Sequence, residues 1–249
     1  MVVLVRRMLP IALILAALPA AYPQSKSLPL SSPDGLTLHN AIAAPVTFQG
    51  KKALKLTAPP SAARPVPATK GGLKKGGGPG AAEANRQDHL ALLDGLDFTN
   101  GVIEVDLAGE PGPGAAGGAR GFVGVAFRVQ PDRKTYDCFY LRPTNGRADD
   151  QERRNHSAQY IQHPTYTWFK LREETPSKYE SYVDIAPAEW IHVKIEVNGD
   201  KAKLFVNNHP QPTLIVNDVK SGAAAKGAVA LWFEGSTIAH YANLKVTAR

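Results

Sequence analysis

The stretch Trp190-Ile-His-Val-Lys-Ile-Glu-Val-Asn-Gly-Asp-Lys-Ala-Lys-Leu-Phe-Val-Asn-Asn208 predicts a β-hairpin. Its first half alternates the apolar residues Val193, Ile195 and Val197 with polar ones, which is the period of a strand with one buried face. Asn198-Gly199-Asp200 then predicts a tight turn, because Asn and Gly tolerate the positive φ angles that hairpin turns require. The alternation resumes after this turn, so the chain returns as a second strand that ends at the paired asparagines.

Two more apolar runs, Gly227–Glu234 and Ala242–Thr247, predict the last strands of the chain. Short alternating runs separated by turn residues also occur upstream, at 35–41, 46–48, 53–56, 89–93, 102–107, 122–129 and 135–142. No segment has the periodicity of a helix longer than a turn or two. The sequence therefore predicts an all-β fold of two packed antiparallel sheets. We expect the following residues to be buried between the sheets: Val193, Ile195, Val197, Leu204, Val206, Val229, Leu231 and Phe233.

The succession of tryptophan, strand, Asn-Gly hairpin, Val-Asn-Asn turn, glycine-led strand and closing Asn-Leu-Lys-Val strand resembles the C-terminal half of concanavalin A-like jelly rolls. That superfamily includes legume-type lectins, laminin-G-like modules, family 16 glucanases and secreted bacterial 3-keto-glycoside-processing domains. The resemblance spans roughly Gly35 to Val246, except for one insertion. It implies a jelly-roll β-sandwich with long polar loops, and it implies less about function, because one fold can carry many activities.

The first residues have the pattern of a secretory signal peptide. Arg6-Arg7 precede an apolar stretch from Met8 to Leu18, and the small residues Pro19-Ala20-Ala21 follow. This stretch is too short to span a bilayer, and no later segment is apolar enough to be transmembrane. We therefore expect residues 1–24 to be a signal peptide, residues 25–249 to form one domain, and the protein to be secreted or periplasmic.

The charge distribution argues against nucleic-acid binding. The formal net charge is +7, but residues 1–86 hold 11 Lys and Arg against 2 Asp and Glu. Residues 87–249 therefore hold 18 basic against 20 acidic side chains. A nucleic-acid-binding domain needs its basic groups on the folded surface, and here they are concentrated near the start of the chain.

An insertion at residues 59–87 is rich in Gly, Pro and Lys. It has almost no large apolar side chains that could offset the entropy lost on ordering, so it is predicted to be a disordered surface loop within the domain.

Cys138 is the only cysteine, which excludes an intrachain disulfide. Because Cys138 lies between aromatic residues on a predicted strand, a buried, unreactive thiol is expected.

Two acidic residues, Glu104 and Asp106, alternate on one predicted strand, and Glu110 follows. Family 16 glucanases place three acids at alternate strand positions, so that a nucleophile and an acid/base face one cleft. Here the third acid comes after Gly109, where a loop is expected to begin. The pattern therefore favours the solvated face of a strand over a catalytic triplet.

The polar stretch from Tyr140 to Trp168 is the main candidate for ligand binding. It contains Tyr140-Leu-Arg-Pro-Thr-Asn-Gly-Arg147, followed by an Arg-Arg-Asn-His segment and Thr167-Trp168, and this order of residues is similar to secreted bacterial members of the jelly-roll group. Sugars are bound by aromatic rings against their C–H faces and by planar polar groups that contact hydroxyls. The alternative is a loop whose arginines pair with its own acids. Strand alternation adds residues of the 123–129 and 227–234 runs on the face opposite the core. The predicted ligand-binding residues are Arg128, Arg142, Asn145, Glu152, Asn155, His156, Tyr160, Trp168, Trp232 and Glu234.

No cofactor is expected from the sequence, although calcium could bind, because several jelly rolls hold it with Asp and carbonyl oxygens. Asp34 and Asp149-Asp150 are the candidate ligands, whereas His156 and His163 lack the spacing of a zinc site.

Three functions remain open: an exported protein that binds a carbohydrate or glycoconjugate in a groove on the concave sheet face; a glycoside hydrolase or a lyase acting on 3-keto sugars; and a cell-surface interaction module without a sugar site. Two carboxylates facing each other across the groove would favour the enzyme, and an aromatic platform without them would favour the binding protein. Neither the sugar nor the oligomeric state is defined by the sequence.

Overall fold

The computed structural model describes residues 24–60, 87–115 and 118–249. The predicted signal peptide, apart from Gln24, and most of the predicted insertion lie outside these residues. The strands are β1 Gln24–Leu28, β2 Leu36–His39, β3 Ile42–Phe48, β4 Lys51–Thr57, β5 His89–Leu93, β6 Gly101–Pro111, β7 Val123–Val129, β8 Tyr136–Leu141, β9 Ala158–His163, β10 Glu180–Ser181, β11 Ile191–Asn198, β12 Lys201–Val206, β13 Leu214–Val216, β14 Ala228–Phe233 and β15 Thr237–Ala248. The helices are α1 Pro143–Gly146, α2 Gln151–Asn155 and α3 Trp168–Glu174. No helix of the described part is long and apolar enough to cross a membrane.

The strands form two antiparallel sheets that pack as a sandwich, which confirms the predicted fold class. One sheet has the order β13-β12-β11-β6-β15-β4-β3, and β1 pairs with the second half of β15. The other sheet has the order β10-β9-β8-β7-β14-β5-β2. Several neighbours in each sheet are far apart in sequence, so both sheets depend on long-range pairing.

The hairpin that the sequence predicts is present. β11 and β12 pair in register around the turn at Gly199, which has φ of 61°. The return strand ends at Asn207 and Asn208, and both are left-handed, with φ of 53° and 57°. All eight residues predicted to form the core are at most 3% exposed. The alternation of apolar and polar residues therefore identified the buried face of these strands.

Tyr241 joins the two sheets through polar contacts in the core. Its side chain extends from β15 in the eight-stranded sheet and is fully buried. The hydroxyl accepts a hydrogen bond from Gly124 N at 3.2 Å and can donate to Trp232 O at 2.5 Å. These two backbone groups belong to adjacent strands, β7 and β14, of the opposite sheet. A buried polar group is stabilising only when it is paired, and here the pairing fixes one sheet relative to the other.

The seven-stranded sheet has an inner face toward the core and an outer face. Leu231, Val125 and Phe139 lie side by side on the inner face. Trp232, Gly124, Tyr140 and Gln159 form the next row, which alternation turns to the outer face. The outer face carries the candidate functional site.

Arg128 does not lie on the outer face, contrary to the prediction from alternation. The pairing of β7 with β14 shifts between Ala228 and Ala230, and Arg128 has φ of 54°. Such a bulge inserts one residue and reverses the direction of the side chains beyond it. The guanidinium is buried at the end of the sandwich, where its nitrogens donate to Thr99 O, Gly199 O, Ser221 Oγ and Gly222 O. Arg128 therefore holds three loops together.

The stretch after Pro143 is more regular than the predicted loop. It contains the three helices and also β9, which pairs along its whole length with β8. β9 is buried although it contains two glutamines and a histidine. The amide of Gln159 donates to Tyr160 O and Tyr179 O, and that of Gln162 donates to His163 O. Because these amide groups are paired, a polar sequence can form an interior strand.

We predict that Tyr241→Phe lowers the free energy of unfolding by about 1–3 kcal/mol, since the substitution leaves buried backbone groups without their partner. Urea unfolding followed by circular dichroism measures this loss. Tyr182→Phe is the control, because Tyr182 is 40% exposed and its hydroxyl accepts from the surface residue Arg154. Equal stability of the two variants would show that the hydroxyl of Tyr241 does not hold the sheets together.

Candidate functional site

A cavity of about 440 Å³ opens where β8 ends on the outer face of the seven-stranded sheet. Its walls come from β8, the loop before β7, and all three helices. Four arginines, three aromatic residues and two acids dominate the lining: Gly118, Arg120, Phe122, Tyr140, Arg142, Asn145, Asp150, Glu152, Arg153, His156, Trp168 and Arg172.

A buried carboxylate, Glu180 on β10, lies behind the cavity wall. Its side chain is 3% exposed. Arg172 forms a two-pronged ion pair with it, with Nε 3.1 Å from Oε2 and Nη2 bonded to Oε1. Arg142 Nη1 lies 3.7 Å from Oε1. A carboxylate is stable at such depth only because two guanidinium groups compensate its charge.

Arg142, just after β8, is held by several contacts at the base of the site. Its guanidinium donates to His156 O at 2.7 Å, Tyr140 Oη at 2.8 Å and Gln159 Oε1 at 3.0 Å. The same group lies 5.0 Å from the Tyr140 ring centroid. These contacts fix the position of the turn that carries His156, so Arg142 shapes the cavity as well as lining it.

His156 is a cavity side chain with unused hydrogen-bonding groups. Its Nδ1 lies 2.8 Å from Glu180 Oε2, but the two groups are not aligned for a hydrogen bond. Neither ring nitrogen has a hydrogen-bond partner among the described residues. Burial lowers the pKa of His156, and Arg172 and Arg142 lower it further against the opposing effect of Glu180. The imidazole is therefore neutral at pH 7 and can accept a proton.

The helices α1 and α2 place the remaining polar groups. Asp150 caps α2 by accepting from Arg153 N, which is the usual role of an Asp at this position. Arg153 then turns back to α1, where it donates to Asn145 Oδ1 and to the carbonyl and hydroxyl oxygens of Thr144. Asn145 Nδ2 donates to His156 O at 3.3 Å. The two helices and the histidine turn are thus one hydrogen-bonded unit.

Trp168 supplies a flat aromatic surface at the start of α3. Thr167 caps this helix by accepting from Lys170 N. Arg172, one turn later, places its guanidinium 4.9 Å from the Trp168 ring centroid. The indole is therefore held in place by a cation that is itself bound to Glu180.

Five of the ten residues predicted to bind ligand line this cavity: Arg142, Asn145, Glu152, His156 and Trp168. The other five do not. Arg128 lies at the far end of the sandwich, as described above. Asn155 is exposed and accepts from Gln151. Glu234 accepts from Ser236 in a turn.

Tyr160 and Trp232 are both buried in the sheet. Tyr160 is on the core side, where its hydroxyl donates to Asp137. Trp232 is on the outer face, as alternation predicted, and its ring lies 5.0 Å from that of Tyr140. Its indole N–H donates to Tyr136 Oη at 3.0 Å. Trp232 therefore supports the cavity residue Tyr140.

The prediction did not include several residues of the site: Arg120, Phe122, Tyr140, Arg153, Arg172 and Glu180. Tyr140 begins the polar stretch that the sequence indicates, although it is not among the predicted ligand-binding residues. Arg153 is in the polar stretch that was singled out. Glu180 gives no sequence signal, since its role depends on the pairing of β10 with β9.

The acids on β6 lie elsewhere, on the outer face of the eight-stranded sheet. Asp106 accepts from Lys51, His192 and Asn243. Glu104 lies 3.9 Å from Lys245 Nζ. Both acids are thus part of a surface network.

Within the described ranges, no three His, Cys, Asp or Glu side chains converge as metal ligands. Of the calcium candidates, Asp34 accepts from Ser32 and Asp150 caps α2.

The sequence matches the model of the family described as 3-keto-alpha-glucoside-1,2-lyase-like domain over residues 58–247. Among solved structures, the chain is similar to the carbohydrate binding module CBM66 from Bacillus subtilis, with 14% identity, a TM-score of 0.52, and coverage of 85% of this chain and 95% of that chain. It is also similar to a Bacillus subtilis protein of unknown function with a galectin-like fold, with 10% identity, a TM-score of 0.51, and coverage of 92% and 100%. These two likenesses concern the fold alone. No curated protein matches the sequence.

We predict that Glu180→Gln lowers the free energy of unfolding by about 3 kcal/mol, because the buried guanidinium of Arg142 then loses its compensating charge. Thermal and urea unfolding measure the loss. Glu196→Gln removes the same charge from a surface pair with Lys194 and should cost less than about 1 kcal/mol. A Glu180→Gln variant as stable as Glu196→Gln would show that the carboxylate is not needed to hold the cavity.

Proposed function

This chain belongs to the family of 3-keto-alpha-glucoside-1,2-lyase-like domains, and from that membership we propose that its cavity binds the sugar ring of a glycoside. The observation that supports the proposal best is the composition of the cavity. Trp168, Tyr140 and Phe122 bring aromatic rings together with guanidinium and amide groups. Aromatic rings bind the C–H faces of a sugar, and planar polar groups make paired hydrogen bonds with its hydroxyls.

The size of the cavity also fits a small ligand. Its volume of about 440 Å³ lies within the range of about 300–1,000 Å³ that is usual for small-molecule sites. Arg142 and Arg153 are held by several hydrogen bonds each, so the site is formed before a ligand arrives. A preformed site favours sugar binding, because polar ligands gain little free energy over water unless their partners are already oriented.

We predict that Trp168→Ala weakens binding of an α-glucoside about tenfold or more, since the aromatic surface of the site is lost. Isothermal titration calorimetry with methyl α-D-glucoside and its 3-keto form measures the change. Trp190→Ala is the matched control, because Trp190 lies 5.5 Å from Phe48 near the eight-stranded sheet and away from the cavity.

Equal binding by the Trp168→Ala variant and the parent would place the sugar elsewhere. If the parent binds neither these glycosides nor any member of a broad glycan array, tested with and without a calcium chelator, the proposal fails. A surface interaction module without a sugar site then becomes the better account.

A second candidate function is elimination on a 3-keto glycoside, and the neutral, unbonded imidazole of His156 favours it. A ketone at C3 acidifies the C2–H bond of the sugar. We propose that His156 removes this proton, a C1–C2 double bond forms, and the C1–O bond breaks. The departing oxygen takes up a proton and leaves as an alcohol, and the sugar becomes a conjugated enone. No oxidant or reductant is needed, and the guanidinium groups stabilise the intermediate enolate oxygen.

Elimination predicts a rise in ultraviolet absorbance when the protein is mixed with a 3-keto α-glucoside. We expect His156→Gln to slow it about a hundredfold or more, because a general base contributes at least that factor. Because the pKa of His156 is lowered, the base stays active at pH 7, and the rate should fall only as pH drops below the usual histidine range. His209→Gln, at an exposed turn, is the control. An unchanged rate in His156→Gln, or release of reducing sugar without an enone, would exclude this role.

Hydrolysis by a carboxylate pair has less support. Asp150 and Glu152 are the acids that line the cavity, and both come from the start of α2. They therefore lie on one wall and do not face each other across a bound sugar, as a nucleophile and an acid would.

We further propose that the protein acts outside the cytoplasm, in a secreted or periplasmic location, since the first residues have the pattern of a signal peptide. Mass spectrometry of the exported protein would find an N-terminus near residue 25, and an intact Met1 on protein kept in the cytoplasm would contradict export.

A further inference from the structure

The charges of the cavity are not evenly distributed. Asp150 and Glu152 are exposed, whereas Arg120 and Arg153 are partly buried. The acids therefore lie at the rim in contact with water, where their charge is screened. The arginines lie deeper, where a charge has a stronger effect on a bound group.

The arginines also differ in how their charge is compensated. Arg142 and Arg172 share the buried carboxylate of Glu180. Arg153 donates to neutral acceptors, Asn145 Oδ1 and the two oxygens of Thr144, and it makes no ion pair with any described residue. A half-buried cation without a neighbouring carboxylate carries an uncompensated desolvation free energy. An anion that binds to the cation offsets this free energy.

Arg120 adds a second positive charge to the same wall. Burial lowers its pKa, and the nearby guanidinium groups of Arg153 and Arg142 lower it further. All three arginines line the cavity. Thr144 links two of them, since its N–H donates to Arg120 O and its carbonyl accepts from the Arg153 guanidinium. Proteins use grouped guanidinium forks of this kind to bind carboxylate, sulfate and phosphate groups.

We propose that the cavity selects a glycoside that carries an anionic substituent, which binds against Arg153 and Arg120. This inference rests on the proposed function, because it assumes that the sugar lies in the cavity, and it adds the chemical class of the substrate. The aromatic wall around Trp168 contacts the ring, and the guanidinium groups contact the oxyanion. A neutral sugar would leave the charge of Arg153 uncompensated.

The test uses three ligands that differ only at C6: methyl α-D-glucoside, methyl α-D-glucuronide and methyl α-D-glucoside 6-sulfate. Titration calorimetry of the full chain at low and high salt gives their affinities. We expect at least one of the two anions to bind roughly tenfold or more tightly than the neutral glycoside, and this preference to shrink at high salt. The comparison of carboxylate with sulfate identifies the substituent.

Arg153→Gln should abolish the preference for the anion, so that the neutral and anionic glycosides bind with equal affinity. Arg153→Lys should retain part of it, because the charge remains and the planar fork is lost. Arg147→Gln is the matched control: it removes one arginine from an exposed surface pair with Asp184, and it should keep the full preference. Circular dichroism checks that each variant is folded.

The outcomes separate the two proposals. Neutral and anionic glycosides binding equally tightly to the parent would overturn the anionic preference and leave sugar binding intact. If Arg153→Gln keeps the preference for the anion as fully as Arg147→Gln does, Arg153 does not bind the anion. This inference is then overturned. If none of the three ligands binds to the parent, this inference is overturned, and the proposed function is decided by the 3-keto glycoside and the glycan array.

Discussion

The candidate site depends on one buried charge, the carboxylate of Glu180. It connects Arg142 at the end of β8 with Arg172 on α3, and it lies beside His156 in the turn before β9. Three separate segments thus share one anion in a region where an uncompensated charge is very costly. The same cluster orients the Trp168 ring through Arg172, and burial with the two arginines lowers the pKa of His156 against the opposing effect of Glu180. The position of the Trp168 ring and that of Arg142 therefore have a common structural origin.

Most of the fold could be predicted because one face of each strand is buried and the other is not. The β11–β12 hairpin has that contrast, and its Asn-Gly turn fixes the register. β9 lacks the contrast, because both faces are covered and its glutamines bond to carbonyl groups nearby. The contact of Tyr241 with the opposite sheet is equally invisible in sequence, since it joins residues 117 positions apart.

The site could be predicted only in part, for two physical reasons. Residues on local turns and short helices, such as His156 and Trp168, are close in sequence to other polar groups, so composition alone identifies them. Arg128 was misplaced because a single bulge residue reverses strand alternation. Glu180 was missed because a buried ion pair is defined by long-range pairing. Composition therefore identifies the polar segment after β8. The pairing of the strands determines which of its side chains line the cavity.

The most direct test of the account is a two-dimensional ¹H–¹⁵N NMR titration of the protein with a 3-keto α-glucoside. If the cavity binds the sugar, the shifts will be largest at the Trp168 indole N–H, Gly118 and the Asn145 side chain, and near zero at the Trp190 indole N–H. Shifts centred on Trp190 and the Asp106 network, or no shifts at millimolar ligand, would contradict the claim that this cavity is a glycoside site.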